Sequence, residues 1–218
     1  MKFTNVIRAV SVAGLLAVIP SIASANTLSF AINTKFAGTP QSPTATALFD
    51  DNTGAANTVN LTLTSLNTVD NDTITEWYFN FNPLKDVTAL TFAYDVASTG
   101  PNLDASPGLG QNDYKADGGG NFDIFLSWPN SGTTFNEGQS VMFLVTSSAG
   151  AIDVSDFAFL DDGTGGAKGP YGSAIKNSAY WADPTTGVEV PVPSSLAGLL
   201  GLALTVGGVR FWKIRTGK

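Results

Sequence analysis

Short acidic runs are the part of this sequence whose residue types and spacing could bind a metal ion. Asp70 and Asp72 flank an asparagine, and Asp113 and Asp117 lie in a second polar run. Calcium takes oxygen ligands from carboxylates, amides and carbonyls on flexible turns. Neither run contains a complete EF-hand loop that closes on a Glu, and Asp and Asn also cap turns without any ion. We therefore predict ordinary turn chemistry, with calcium as the one candidate cofactor and a stabilising role for it.

Aromatic side chains are a second group of candidate binding residues, because they can stack on sugar rings. Tyr180 and Trp181 are adjacent near the end of the central region, and we predict that this pair is exposed and contacts a glycan. Trp77 and Tyr78 are also adjacent, but successive residues of a strand face opposite sides. At least one of these two is therefore expected in the core. A carbohydrate-binding module, with extracellular polysaccharide as its partner, is an alternative function.

Catalytic chemistry has little support, because the sequence contains no Cys and no His. Thiolate nucleophiles, Ser-His-Asp triads and metal sites with nitrogen or sulfur ligands are therefore excluded. The spacing of Glu76 and Glu137 does not bring them together as a glycosidase pair,. Ser173 and Lys176 lack a surrounding nucleophile-elbow motif,. We predict that the protein has no catalytic residue and is not an enzyme; a polysaccharide hydrolase is the remaining alternative.

All acidic residues lie in the central region, between Asp50 and Glu189. Between Asn26 and Glu189 five lysines accompany the 18 Asp and Glu residues, so this part of the chain has a net charge of −13. Such a surface repels nucleic acid and anionic lipid. We therefore expect no nucleic-acid partner and interpret the charge as favouring solubility outside the cell.

Strands must position these side chains. In the run 59–64, Val and Leu alternate with Asn and Thr, which is the period of a half-buried strand,. Clusters of Gly, Asn, Asp and Pro separate such runs,, and 172–179 is expected to form one or two helical turns. The pattern predicts an all-β fold, an antiparallel β-sandwich or jelly-roll-like domain over 26–186. The predicted strands are 27–32, 44–49, 58–65, 76–82, 89–96, 121–128, 140–147 and 153–160.

The first 25 residues have the three parts of a secretory signal peptide. A basic start is followed by the apolar run 9–19, a proline and the small residues Ala23 and Ala25,. This pattern predicts cleavage by signal peptidase immediately before Asn26. The alternative is a permanent anchor helix, but the run is too short to span ~30 Å of hydrocarbon comfortably.

The last part of the chain is a candidate membrane span. The stretch 190–209 contains no charged residue. The acidic Glu189 precedes it, and the basic Arg210, Lys213 and Arg215 follow it. About 20 apolar residues with a basic flank form a transmembrane helix whose charged end stays cytoplasmic. We predict this helix at about 194–212, with the central domain on the opposite side of the inner membrane.

The tail 187–218 resembles the PEP-CTERM sorting signal of exported proteins of Gram-negative bacteria. The resemblance depends on Pro191, Val192 and Pro193, on the apolar segment that follows them and on the basic end. In that family an exosortase, an integral-membrane protease, recognises a Pro-Glu-Pro motif. Val192 stands where the family has Glu. The resemblance implies transient residence in the inner membrane and then processing; a permanent single-pass anchor is the alternative.

The central region is also similar to the exported domains that precede such tails, in 76–83, 119–124 and 156–160. Those domains generally have no assigned activity. We therefore expect an exported structural or interaction protein of the cell surface or the exopolysaccharide matrix. Its expected partners are signal peptidase and an exosortase-like protease.

Overall fold

The computed structural model describes residues 26–35, 44–51, 57–67, 73–116, 120–128, 134–161, 170–177, 180–183 and 188–191. Within these ranges the chain forms twelve strands and two short 3-10 helices, at Val87–Ala89 and Val154–Phe157. The strands are β1 (Asn26–Ile32), β2 (Thr34–Lys35), β3 (Ala45–Asp50), β4 (Thr58–Ser65), β5 (Glu76–Phe79), β6 (Leu90–Tyr94), β7 (Gly108–Lys115), β8 (Asn121–Ser127), β9 (Ser140–Ser147), β10 (Ser173–Lys176), β11 (Tyr180–Asp183) and β12 (Val188–Pro191).

The strands form two antiparallel sheets of six strands each. Sheet A has the order β12-β1-β3-β4-β9-β6, and sheet B has the order β2-β11-β10-β5-β8-β7. Only β3 and β4 follow each other in sequence and also pair in sheet A, so most neighbours in this sheet are brought together by crossovers. The all-β prediction is therefore confirmed.

Side-chain alternation explains why the central strands form where they do. In β4, Val59, Leu61 and Leu63 are fully buried, whereas Asn60 and Thr62 between them are only partly buried. One face of sheet A is therefore apolar and the other is polar, as expected for an antiparallel sheet with one solvated face. The predicted bounds of β4, and likewise those of β9, agree with the structure.

The main core lies between the two sheets, where phenylalanine rings of both sheets meet. Phe79 of sheet B lies 6.1 Å from Phe30 and 5.1 Å from Phe49, both in sheet A, measured between ring centroids. Phe157 of the second 3-10 helix stacks on Phe49 at 4.3 Å. Each such buried side chain contributes about 1.5–3 kcal/mol through loss of contact with water. The two sheets thus share one hydrophobic core.

A second, smaller cluster covers the outer face of sheet B. Tyr78 and Phe122 are buried there and lie 5.6 Å apart, and Tyr114 stacks on Phe125. Tyr171, in the segment before β10, completes the cluster. Sheet B is therefore apolar on both faces over part of its area.

Two predicted elements are wrong. The segment 153–160, predicted as a strand, contains the 3-10 helix Val154–Phe157, because the side chains of Asp153 and Asp156 cap its first turn reciprocally. The segment 172–179, predicted as helical turns, contains strand β10, which pairs with both β5 and β11.

The described sheet extends past the predicted domain end at residue 186. The predicted sorting tail 187–218 contains β12, which pairs with β1 along its whole length. The predicted signal peptide 1–25 and the predicted transmembrane helix 194–212 lie outside the described residues. Within the described ranges, no helix has the length and apolar character needed to cross a membrane.

Candidate functional site

One corner of sheet A brings together residues from the two ends of the described chain. Asn26, at the start of β1, is paired with Pro191, at the end of β12. The main-chain N–H of Asn26 donates to Oδ1 of Asp51, directly after β3, over 2.6 Å. The N–H of Asp51 in turn donates to the carbonyl of Asn26. We call Asn26, Asp51 and Pro191 the terminal corner.

The hydrogen-bonding direction of β1 alternates along the strand, and this sets what β12 can bind. Asn26 and Ile32 direct their carbonyls toward β3, so residues between them at odd positions direct theirs toward β12. Thr27 and Ser29 therefore form the hydrogen-bonded pairs with β12, opposite Val190 and Val188. Pro191 lies out of phase with these pairs, so its missing N–H falls on the outer edge, where proline is tolerated.

The edge of β1 that β12 leaves uncovered is closed by a side chain of the other sheet. Ala31 lies beyond the last residue that pairs with β12 and donates its N–H to Oδ2 of Asp183, over 2.8 Å. Asp183 is buried at the end of β11 in sheet B. This bond ties the two sheets together near the end of β1 that is opposite the terminal corner.

A shallow depression lies on the solvated face of sheet A. Its volume is about 250 Å³, just below the ~300–1,000 Å³ of ordinary ligand sites. Leu48, Thr62 and Met142 occupy one row across β3, β4 and β9, and Asp50 pairs with Asn60 in the adjacent row. Asp95 also lines the depression, because its main-chain N–H is bonded to the carbonyl of Met142. The depression combines oxygen and amide groups with an apolar strip.

Several carboxylates of the central region are used to hold main-chain groups. The buried Asp123 accepts hydrogen bonds from the N–H of Phe81 and from the N–H of Asn112, which has a left-handed conformation in an irregular part of β7. The buried Asp161 accepts from the N–H of Gly120 over 3.0 Å. These bonds satisfy main-chain donors of segments that are distant in sequence.

An ion pair between an exposed lysine and a buried carboxylate connects the loop after β5 to the second 3-10 helix. Lys85 Nζ lies 2.5 Å from Oδ2 of Asp156, whose side chain is almost fully buried. Oδ1 of Asp156 accepts from the side chain of Asn82, and Oδ2 also accepts from the N–H of Asp153. The carboxylate therefore has three different donors and serves to fix two segments of chain.

The side chains considered for catalysis are engaged in structural contacts. Glu76 Oε1 pairs with Nζ of Lys176 over 2.9 Å, and its Oε2 accepts from the Tyr78 hydroxyl. Ser173 is buried, accepts from Nε1 of Trp77 and donates to the carbonyl of Tyr78. Ser173 and Lys176 contact different partners, and the structure does not bring them together.

The two adjacent aromatic pairs of the sequence have different outcomes. Trp77 is fully buried in the main core and Tyr78 is buried in the outer cluster of sheet B, so both of them are core residues. Tyr180 and Trp181 lie in β11, where their main chains pair with Lys176 and Ile175. Glycan contact by Tyr180 and Trp181 stays a prediction.

The predicted calcium residues are not gathered at one described position. Asp113 is exposed in β7, whereas Asp70, Asp72 and Asp117 lie outside the described residues. Over the part of the chain that the structure covers, no group of three or more carboxylates could hold a metal ion. Of the predicted processing residues, Asn26 and Pro191 are described. The others lie outside the described ranges: Ala23, Ala25, Val192, Pro193, Arg210, Lys213 and Arg215.

One tyrosine has a shifted pKa. Burial raises the pKa of the Tyr171 hydroxyl above its ordinary value, and the negative charge of Asp161 raises it further,. The main chains of the two residues are also bonded, from the N–H of Asp161 to the carbonyl of Tyr171. The pair closes the outer cluster of sheet B.

Of the residues that line the depression or form the terminal corner, only Asn26 and Pro191 were predicted as site residues from the sequence. Leu48, Asn60 and Met142 belong to three strands that are far apart in sequence, and each is an unremarkable outward position of an alternating strand. Asp51 lies in a run of turn-forming residues, which signals a turn but not its partner. The depression and the terminal corner can be recognised only when the pairing of the strands is known.

Comparison with known proteins gives no match, either to a family model, to a curated protein or to a solved structure.

Proposed function

We propose that the chain is an exported structural or interaction protein of the bacterial cell surface or exopolysaccharide matrix. Signal peptidase removes residues 1–25, and an exosortase-like protease processes the tail near Pro191–Pro193. The inner membrane holds the protein only between these two steps. We also propose that the two sheets form a β-sandwich or jelly-roll-like domain.

The pairing of Asn26 with Pro191 is the observation that best supports this proposal. The two predicted processing points flank the first residue of β1 and the last residue of β12. Removal of the chain before Asn26 and after Pro191 therefore leaves every described strand of both sheets in place. The acidic charge of the region between them favours solubility after release.

Mass spectrometry of the surface fraction tests the processing. We expect an N-terminal peptide that begins at Asn26 and no peptide from beyond residue 196. Replacement of both Pro191 and Pro193 by Ala should leave a larger, membrane-bound form. Pro170→Ala, which changes an exposed proline of the folded region, is the matched control and should be processed normally. Recovery of Phe211 and Trp212 in the native surface protein would instead establish a permanent anchor.

Carbohydrate binding is the second candidate, and the depression on sheet A favours it. Asn60 and Asp50 offer amide and carboxylate groups for sugar hydroxyls, while Leu48 and Met142 offer an apolar strip for ring carbons. A glycan array with the exported protein tests this function. Binding should be lost in Asn60→Ala and retained in Thr91→Ala, an exposed position of β6 on the same sheet. Loss of binding in Trp181→Ala alone would place the glycan at β11 instead.

A further inference from the structure

We propose that Asp51 is the binding site for the N-terminal ammonium group that signal-peptide removal creates on Asn26. The proposal rests on the cleavage between Ala25 and Asn26 given under the proposed function. It adds a role for processing itself: cleavage converts a hydrogen bond between a neutral amide N–H and the Asp51 carboxylate into an ion pair.

The geometry for this ion pair is already present in the folded chain. The Asn26 nitrogen lies 2.6 Å from Oδ1 of Asp51, slightly closer than the ~2.7–2.9 Å of a charge-assisted N–H···O bond, so an ammonium at this place is at bonding distance. Both residues are partly buried, and the reciprocal bond from the Asp51 N–H to the Asn26 carbonyl is 3.2 Å long. The nitrogen is therefore held in place by the ladder between β1 and β3.

Hydrolysis changes the chemistry of this nitrogen but not its position. One water adds across the Ala25–Asn26 peptide bond; the carbonyl carbon of Ala25 becomes a carboxylate, and the nitrogen of Asn26 becomes an amine that takes up a proton. An amide N–H with one hydrogen is thereby replaced by an ammonium with three hydrogens and a positive charge. Asp51 then faces an opposite charge at hydrogen-bonding distance, so the attraction between the two groups increases.

The consequence is that maturation strengthens the corner where three strands meet. Asn26 starts β1, Asp51 follows β3, and Pro191 on β12 is paired with Asn26. An ion pair between Asn26 and Asp51 therefore opposes fraying of β1 from β3. In a partly exposed pair the expected gain is up to about fivefold in the folding equilibrium constant.

A comparison of two leader junctions and two residues at position 51 tests the proposal. The full-length gene is expressed with its own leader, and the exported protein is purified and sequenced from its N-terminus. Insertion of two glycines between Ala25 and Asn26 moves the ammonium up to about 7 Å along the chain while Asn26 keeps an amide N–H. Each junction is combined with Asp51 and with Asp51→Asn, and urea unfolding is measured for all four proteins.

We expect Asp51→Asn to lower the folding equilibrium constant up to about fivefold with the native junction, and clearly less with the glycine insertion. High salt should reduce the difference between the junctions, because it screens the pair. Asp104→Asn, an exposed position with the same charge change, should have equal effects at both junctions. An equal effect of Asp51→Asn at both junctions would overturn the proposal.

Sequencing separates this proposal from the proposed processing. An exported protein that begins at a residue other than Asn26 would refute the cleavage position. The ion pair is then measured on the chain with a protease site placed directly before Asn26, so that digestion exposes the same ammonium. The same four-protein comparison on the digested material supports or refutes the role of Asp51.

Discussion

At the scale of single residues, buried carboxylates bonded to main-chain N–H groups connect distant segments of the chain. Asp123 joins the segment after β5 to the irregular part of β7, and Asp161 joins the start of β8 to the segment before β10. A buried N–H without an acceptor costs about 1–3 kcal/mol. These carboxylates therefore stabilise the conformations of turns that carry little apolar surface of their own.

Replacement of Asp123 by Ala should lower the free energy of unfolding by at least about 2 kcal/mol. The change leaves the buried N–H of Phe81 and the partly buried N–H of Asn112 without their acceptor. Urea unfolding of the variant and of wild type measures the difference. Asp104→Ala, at an exposed position, should change the free energy by less than about 0.5 kcal/mol. Similar values for the two variants would contradict the assigned role.

The raised pKa of Tyr171 predicts a loss of stability at alkaline pH. In the unfolded chain the hydroxyl ionises near its ordinary pKa of about 10, whereas burial and Asp161 raise the pKa in the folded protein. The contribution is thus fully present below pH ~10 and is lost as the pH rises through the folded pKa. The free energy of unfolding, measured with urea between pH 8 and 11.5, should fall less steeply with pH in Tyr171→Phe than in wild type. Equal slopes would refute the prediction.

At the scale of elements, β12 is an edge strand of sheet A, and among the described strands it pairs with β1 alone. Val190 and Val188 lie opposite Thr27 and Ser29, the residues of β1 that direct their hydrogen-bonding groups toward β12,. Glu189 lies between them and directs its N–H outward. The two kinds of position therefore tolerate proline differently.

Val190→Pro should destabilise β12, whereas Glu189→Pro should do so much less. The first substitution removes an N–H that is bonded to β1, at a cost of about 1 kcal/mol; the second removes an N–H on the outer edge. Hydrogen exchange at Thr27 and Ser29 measures the opening of this ladder. Exchange at both amides should accelerate in Val190→Pro and stay near wild type in Glu189→Pro. The reverse order would show that the ladder has the opposite phase.

The strands that the sequence predicted well are those whose packing is carried by alternation. In β4 and β9 the apolar residues face one core, so apolar and polar residues alternate clearly along the sequence. The predicted bounds of these two strands are therefore accurate. β7 contains few apolar residues and an irregular register, and β10 is only four residues long, so neither has a clear period. In 153–160 the Asp153 side chain favours a capped helical turn. The spacing of the apolar residues in this segment is that of a strand, so the turn was not predicted.

The candidate sites could be predicted only in part, for a related reason. Asn26 and Pro191 were singled out by the predicted processing signals, which are local in sequence. The depression depends on Leu48, Asn60 and Met142 being neighbours across three strands, and register between distant strands is not encoded in any one of them. A site built from cross-strand neighbours becomes visible only when the pairing is known.

At the scale of the whole molecule, the chain enters and leaves the described sheets at adjacent points. Asn26 and Pro191 are partners in one ladder, and such partners lie about 4.5–5.5 Å apart between Cα atoms. A chain that continued directly from Pro191 to Asn26 could therefore keep the same order of strands in both sheets. Proteins whose ends are close together commonly tolerate permutation.

A circular permutant should therefore fold. A short glycine linker joins Pro191 to Asn26, and the new ends are placed in the exposed turn at 148–150 after β9. Its melting temperature should lie within a few degrees of the protein that spans 26–191. A second permutant with its ends within β4, which is internal to sheet A, should lose cooperative melting. Equal behaviour of the two would contradict the described strand order.

The pairing at the terminal corner also determines how the protein responds to mechanical tension. A pull on the chain beyond Pro191 acts on the end of β12 and peels it from β1, so the two bonded pairs break one after the other instead of sharing the load. Thr27 and Ser29 would then expose unpaired main-chain groups along a free sheet edge, which is a template for another strand. A chain pulled at this end would thus expose the edge of β1, and a chain without tension there keeps that edge covered by β12.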